Sequence, residues 1–258
     1  MKNRKPLKSA MGWSTRDSIT VRGRDLTTEL LGKVDLGGMA FLEIRGRLPT
    51  QKEAEVFNAV LVTLVEHGMT PQAIATRLVN LAAPEALQAA VAAGLCGVGS
   101  VFAGGSEQTA KMLQNAFKDG ADGAALPEIA AEIVETFVAL KQPIPGIGHP
   151  LHKPIDPRTP VLFAIAERNG FRGRYIALLE LISKNAEARL QRELPVNATG
   201  AIGAILSELE FPWRICRGIA VISRAVGLVG HLAEEMKNPL GREIWERIEE
   251  EVFENRDQ

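Results

Sequence analysis

Residues 141–160, KQPIPGIGHPLHKPIDPRTP, carry five prolines before Arg158 and two glycines, and no regular helix survives that density of ring-locked and permissive residues. An irregular run of this length inside a compact chain is either a linker or a functional segment. This one holds two of the four histidines, His149 and His152, together with Lys141 and Lys153, which favours function.

On both sides of that run, Ala, Leu, Glu and Lys recur at helical spacing, and only Ile19–Val21 has β character, so the fold class expected is all-α. Thr50 opens the first clear helix with the capping box TQKE, in which Glu53 reaches back. Val56, Val60 and Leu64 follow on one face, and the helix stops by Gly68. Thr70 and Pro71 open the next helix with Thr70 as N-cap, and Pro84 opens a third through AALQAAVAAGLCG. The small residues of 82–105 let helices approach closely, so this stretch reads as core or as a subunit contact. Ser106 caps a helix running through Met112 and Phe117, and KDGADGAALPE breaks the pattern before another begins near Pro127. Helices are then expected from Thr159, about Tyr175, Ala198, Pro212 and Pro239.

Composition removes several classes of function. With 258 residues and 46% apolar content the chain can bury a real core, and 30 basic against 31 acidic residues leave a charge of -1, which favours neither nucleic acid nor a membrane surface. Cys96 and Cys216 both sit in apolar surroundings and read as core thiols in a reducing compartment. The N-terminus lacks the apolar region of a secretory signal, and no run offers ~20 uninterrupted apolar residues. A soluble, cytoplasmic protein is expected.

The histidines, His67, His149, His152 and His231, lie beside glycines or at element boundaries. For His67 or His231 alone, capping a helix C-terminus is an equally open role. His149 is braced by Gly146 and Gly148, which suits a loop folded against a ligand. His149 and His152 form H-x-x-H without a Cys pair or a helical H-E-x-x-H, so no metal site is expected. There is no G-x-S-x-G, GIGH lacks the G-K-[ST] of a phosphate loop, and GLCGVGSVFAGG does not follow a strand. What remains is a glycine-braced histidine, Arg158 nine residues later and Lys153 between them: a small anion site with a titratable group.

These residues bear a family resemblance. PGIGHPLHKPIDPR resembles the citrate synthase signature in which a G-x-G-H loop is followed by D-P-R. The resemblance implies that His149 polarises a substrate carbonyl or acts on a hydroxyl, and that Arg158 holds a carboxylate. It also implies that Gly146, Ile147, Gly148 and Lys153 meet coenzyme A. VEHGM looks like a second family element and brings in His67; RAVGLVGHLAEE is similar to R-x-x-G-x-x-x-H-x-x-E and makes Arg224 a second carboxylate arginine; GRLPT also fits. The family's cross-subunit arginine has only Arg242 as a candidate.

Two departures matter. Ala103 stands where citrate synthases carry a catalytic histidine just before the Gly-Gly pair, as in the citryl-CoA lyase module of ATP-citrate lyase, whose F-G-G run looks like Phe102 to Leu113 here. The family's catalytic aspartate aligns with Asn197, whose amide could bond an enolate oxygen and which also reads as the N-cap of the next helix. The resemblance therefore implies a citryl-CoA lyase that cleaves citryl-CoA, or a related 3-hydroxyacyl-CoA, to acetyl-CoA and oxaloacetate or another 2-oxo acid. A citrate or methylcitrate synthase-type acyltransferase and an inactive CoA- or citrate-binding relative are the alternatives. No permanent cofactor is implied, the coenzyme A thioester being substrate. A citrate-synthase-like architecture follows, with a large helical domain of 1–119 and 222–258, a smaller one of 120–221, and a homodimer or dimer of dimers.

Overall fold

The computed structural model describes residues 7–102, 104–117 and 126–254. Ala103 and the break expected at 118–125, with its domain boundary, lie outside them. The chain forms two compact units, 1–58 and 59–258.

The first unit begins with three short antiparallel strands, β1 (Gly12–Ser14), β2 (Ile19–Val21) and β3 (Arg24–Asp25), in the order β1-β2-β3. Thr20 of β2 faces Trp13 and Asp25. Sequence reading found only β2, because two- and three-residue partners are too short to show alternation. It also missed the first helix, α1 (Leu36–Arg45), which opens on Gly37-Gly38. Asp35 supplies what those glycines lack in helix propensity: its carboxylate accepts the Gly38 N–H at 2.6 Å, and Gly46 ends the helix at φ 75°. The capping box at the start of α2 (Gln51–Val65) forms as expected. Thr50 N–H donates to Glu53 at 2.8 Å and Glu53 N–H to the Thr50 hydroxyl at 3.2 Å. Phe41 and Phe57 pack edge to face in the core of this unit.

The second unit is helical. It comprises α3 (Pro71–Ala82), α4 (Leu87–Cys96), α5 (Gly105–Asn115), α6 (Leu126–Ala139), α7 (Arg158–Arg168), α8 (Arg174–Leu190), α9 (Ala198–Glu208), α10 (Cys216–Glu235) and α11 (Leu240–Glu254). Its centre is α9, in which all residues from Ala198 to Ser207 except Thr199 are buried, packed between α5 and α8. Small residues make this possible: a Cβ on Gly203 would meet the Ser106 carbonyl oxygen at 2.6 Å. Ile202, Ile205 and Leu206 of α9 and Leu178, Leu179 and Ile182 of α8 are all fully buried where the fold packs these two helices together. Each such side chain contributes roughly 1.5–3 kcal/mol.

Several local expectations shift. The α5 N-cap is Gly104, so Ser106 is a fully buried first-turn residue whose hydroxyl has no partner among the described residues. Thr70 is the N-cap of α3 by position but makes no side-chain cap. In 82–105, Ala90 and Gly94 are buried where α4 meets α3 and α10, while Leu87, Ala89, Ala92 and Cys96 face outward. Cys96 is therefore exposed, whereas Cys216 is buried and its thiol is pushed up to about 12 by that burial. Helix α10, with the 3-10 turn before it, is long and apolar enough to cross a membrane, yet half of it is buried inside the fold and Arg217 and Arg224 interrupt it, as in a core helix.

Candidate active site

No helix forms between Ala139 and Arg158, as the prolines demand. Gly146 (φ 85°) and Gly148 (φ 76°) adopt the left-handed backbone closed to most side chains. That path lays the segment along the residues before α9. Gly148 N–H donates to the Pro195 carbonyl (2.7 Å), Asn197 N–H donates to the Gly146 carbonyl (3.0 Å), and Ile147 bridges Val196. The approach is backbone to backbone, since a Cβ on Gly200 would lie 2.1 Å from the Gly146 oxygen. Asn197 is the N-cap of α9. Its Oδ1 accepts from Gly200 N–H (2.9 Å) and from the Thr199 hydroxyl (2.8 Å), and its Nδ2 donates to the Gly148 carbonyl (2.8 Å).

His149 leaves this segment with its tautomer set. Its Nδ1 accepts the backbone N–H groups of Leu151 (3.1 Å) and His152 (2.9 Å), so in the neutral ring the hydrogen sits on Nε2. Burial holds its pKa below the usual histidine value, with His152, Arg158 and His67 adding to the effect and Asp156 opposing it. The product is a neutral imidazole with one N–H to donate.

Arg158, the first residue of α7, is aimed by Asp156. Its Nε and Nη2 grip the two carboxylate oxygens at 3.0 and 2.8 Å, and the same carboxylate accepts Arg158 N–H (3.1 Å) and Ala198 N–H (2.9 Å). Asp156 is completely buried. Burial alone would raise its pKa, but Arg158 and the two N–H groups prevail and bring it to about 2. Sequence reading treated Asp156 as a letter of the D-P-R triplet and gave it no role.

The opposite wall is assembled from distant parts of the chain. Glu66, just past α2, accepts the N–H groups of His67 (2.9 Å) and Gly68, turning the chain at Gly68 (φ 73°). Burial raises the pKa of Glu66, but the Gly68 and His67 N–H groups and His231 outweigh it, and the net shift is downward. His231 Nε2 lies 3.1–3.2 Å from the Glu66 carboxylate, and its Nδ1 accepts from Arg77 Nη2 at 2.8 Å. An arginine only donates, so His231 carries its hydrogen on Nε2 and donates it in a hydrogen bond to Glu66. Arg77 is itself fully buried and paired with Glu234 and Glu235. Between these groups, Gly227 brings α10 against the end of α2, where a Cβ would lie 2.1 Å from the Val65 oxygen.

Arg224, one turn earlier in α10, is only 8% exposed and has no hydrogen-bond or ion-pair partner among the described residues. Burial lowers its pKa while Glu66 works against the shift. A guanidinium stays charged under such a shift, so Arg224 offers the cleft a cation that, among the described residues, only Glu66 offsets, without an ion pair between them.

These walls enclose a cleft of about 230 Å³. His67, His149, Arg158, Asn197 and Arg224 all line it, as does Gly148. Gly146 and Ile147 do not line it, Lys153 is exposed farther along the loop, and Arg242 is exposed on α11, 3.5 Å from Glu246. Thr70 and Thr199 also line the cleft, and Phe102 and Val101 stand exposed beside them. Sequence reading missed both threonines. Thr70 carries the one available signal, a capping position whose hydroxyl has no partner among the described residues. Among the described residues of the lining there are two arginines and two histidines but no Asp or Glu. Such a cavity suits a ligand with several carboxylate groups.

Known proteins carry the same architecture. The solved structure of citryl-CoA lyase from Hydrogenobacter thermophilus superposes with a TM-score of 0.80 at 32% identity, over 91% of this chain and 88% of that one. ATP citrate lyase from Methanothrix soehngenii, solved with citrate and coenzyme A, shares the fold over 92% of this chain and 40% of its own, with a TM-score of 0.76 at 20% identity. Among curated proteins, the citrate synthase of Helicobacter pylori is 26% identical over 201 residues, 75% of this chain and 46% of that protein. The citrate synthase of a Synechocystis strain is 26% identical over 210 residues, 79% of this chain and 50% of its own length. The chain thus spans about half the length of the curated relatives it matches. The family described as citrate synthase, C-terminal domain, matches residues 23–247, a span that takes in every cleft residue described above, and the chain belongs to the citrate synthase family.

Proposed function

We propose that this protein is a citryl-CoA lyase, cleaving citryl-CoA or a related 3-hydroxyacyl-CoA to acetyl-CoA and oxaloacetate or another 2-oxo acid. The observation that carries the reading is the buried Arg224, unpaired among the described residues and sharing a cleft with an aimed Arg158 and a hydrogen-donating His149. Two guanidinium groups supply carboxylate sites. His149 Nε2–H is directed to the C3 oxygen, stabilising the negative charge that gathers there as the hydroxyl proton leaves and before the carbon–carbon bond breaks. His67, whose ring has no hydrogen-bond partner among the described residues, takes the hydroxyl proton. The electron pair of the broken bond passes to the thioester as an enolate facing the N-terminus of α9, and the proton returns from His67 to the enolate carbon. Asn197 is better suited to holding the loop than to donating a proton, since both ends of its amide already serve the backbone.

Coenzyme A would lie along Gly146, Ile147 and Gly148. A second recess of about 300 Å³ beyond Ile147 has an apolar floor of Phe137, Ile144 and Leu194 with Lys141 and Arg192 at its edge, which suits an adenine ring and its phosphate. Lys153 is exposed on the same loop as a further phosphate contact. Arg242, outside the cleft of its own chain, would serve only a neighbouring subunit in a homodimer. The division into a body of 1–119 with 222–258 and a body of 120–221, closing over substrate in the cytoplasm, belongs to the same proposal.

The purified protein is expected to release oxaloacetate from citryl-CoA, read through malate dehydrogenase and NADH. Thiol release from acetyl-CoA plus oxaloacetate without citryl-CoA cleavage would favour the synthase reading, which the names of the curated relatives support. The absence of a carboxylate among the described lining residues favours a second reading, a binder of citrate or CoA esters without turnover. Saturable citrate and CoA binding with neither reaction would establish it.

A further inference from the structure

His152 does not line the cleft, yet it packs on the residue that does. Its ring stacks on His149 with centroids 4.4 Å apart and planes 27° from parallel. Its backbone N–H is one of the two that hold His149 Nδ1. The backbone N–H remains whatever side chain stands at 152, but the stacked face that holds the His149 ring against it does not. We infer that His152 is a positioning residue for His149, fixing the plane of its ring and keeping the hydrogen-bearing Nε2 turned to the cleft. This deepens the lyase reading, on which its activity arm rests.

The charged and titratable groups facing His149 are His152 and Asp156 on its own loop, Arg158 at the start of α7, and His67 on the opposite wall. Charge on His152 opposes charge on His149, so an uncharged ring at 152 should let His149 titrate at higher pH.

The test uses the full chain labelled with 15N at histidine, comparing wild type, His152→Phe and His152→Ala by ring 15N shifts across pH and by kcat and KM for citryl-CoA. Wild type should show His149 as the Nε2–H tautomer. His152→Phe should keep that tautomer, titrate at higher pH and retain most of kcat at pH 8. His152→Ala should give mixed tautomers and lose at least about tenfold in kcat with KM little changed. An unchanged His149 tautomer and titration in His152→Ala would overturn the inference, as would equal kcat losses in both variants with His149 spectra like wild type. If His152→Ala fails to fold, His152→Leu, which fills the space without an aromatic face, takes its place, and a wild-type His149 tautomer there would overturn the inference. If no form cleaves citryl-CoA, the 15N arm still decides the positioning role, and only the lyase reading falls.

Discussion

The two walls of the cleft are built by opposite means. On the His149 wall, the segment from Gly146 to Arg158 is held by its own backbone and by the few residues that open α9, through backbone N–H and carbonyl groups and the short side chains of Asp156 and Asn197. The His67 wall depends on side chains from far along the chain: Arg77 reaches His231, Glu234 and Glu235, and His231 reaches back to Glu66. The first wall asks mainly that glycine and proline stand where the backbone must turn. The second asks that several charges balance inside the fold, where removing one partner strands another.

The largest effect separating the walls is expected at Arg77. Arg77→Ala leaves Glu235, only 6% exposed, without its cation, and should lower unfolding stability by roughly 3–5 kcal/mol in urea titrations. A loss below about 1 kcal/mol would show that the wall does not rest on this network.

A smaller loss tests the other side. The Asp156 carboxyl falls from 3.8 to about 2 in the folded protein. A lowered folded value means stability fully present above about pH 4 and lost as pH falls through about 2, worth about 2 kcal/mol. Asp156→Asn should be less stable than wild type by that amount at pH 7, and the gap should narrow from pH 4 to pH 2. A gap constant over that window would mean that packing, not charge, makes the difference.

Glu66→Gln should have the smallest effect on folding, under about 1 kcal/mol, because this carboxylate is partly exposed. Its effect should fall on the cleft instead: turnover reduced several-fold as the turn holding His67 loosens, with citrate affinity nearly unchanged. Equal changes in both would contradict the idea that Glu66 acts through His67.

The contrast between the walls also explains what could be read in advance. Proline and glycine mark the irregular segment, and caps such as Thr50 with Glu53 and Asn197 announce helix starts, because those interactions join neighbours in sequence. His149, Arg158 and Arg224 are named by family resemblance, but their meeting in one cleft is a tertiary event. Arg77 gave no signal, since in sequence it is one polar letter in an amphipathic helix, and its partner Glu235 lies 158 residues away. Asp156 hid for a different reason: the Ala198 N–H that completes its coordination comes from another helix. Helix α1 was lost because Gly37-Gly38 argues locally against a helix that Asp35 then caps.

Arg224 has a consequence that needs no chemistry to observe. Among the described residues, Arg224 faces the cleft with only Glu66 near enough to offset its charge, and no ion pair between them, so any molecule that brings carboxylates to it should raise the melting temperature. A ligand present at a hundred times its Kd adds about 2.7 kcal/mol to stability whether or not it reacts. Thermal melts against a panel of di- and tricarboxylates, free and as CoA esters, would therefore rank the natural occupants of the cleft. Arg224→Met, which removes the charge and keeps the bulk, should flatten that ranking.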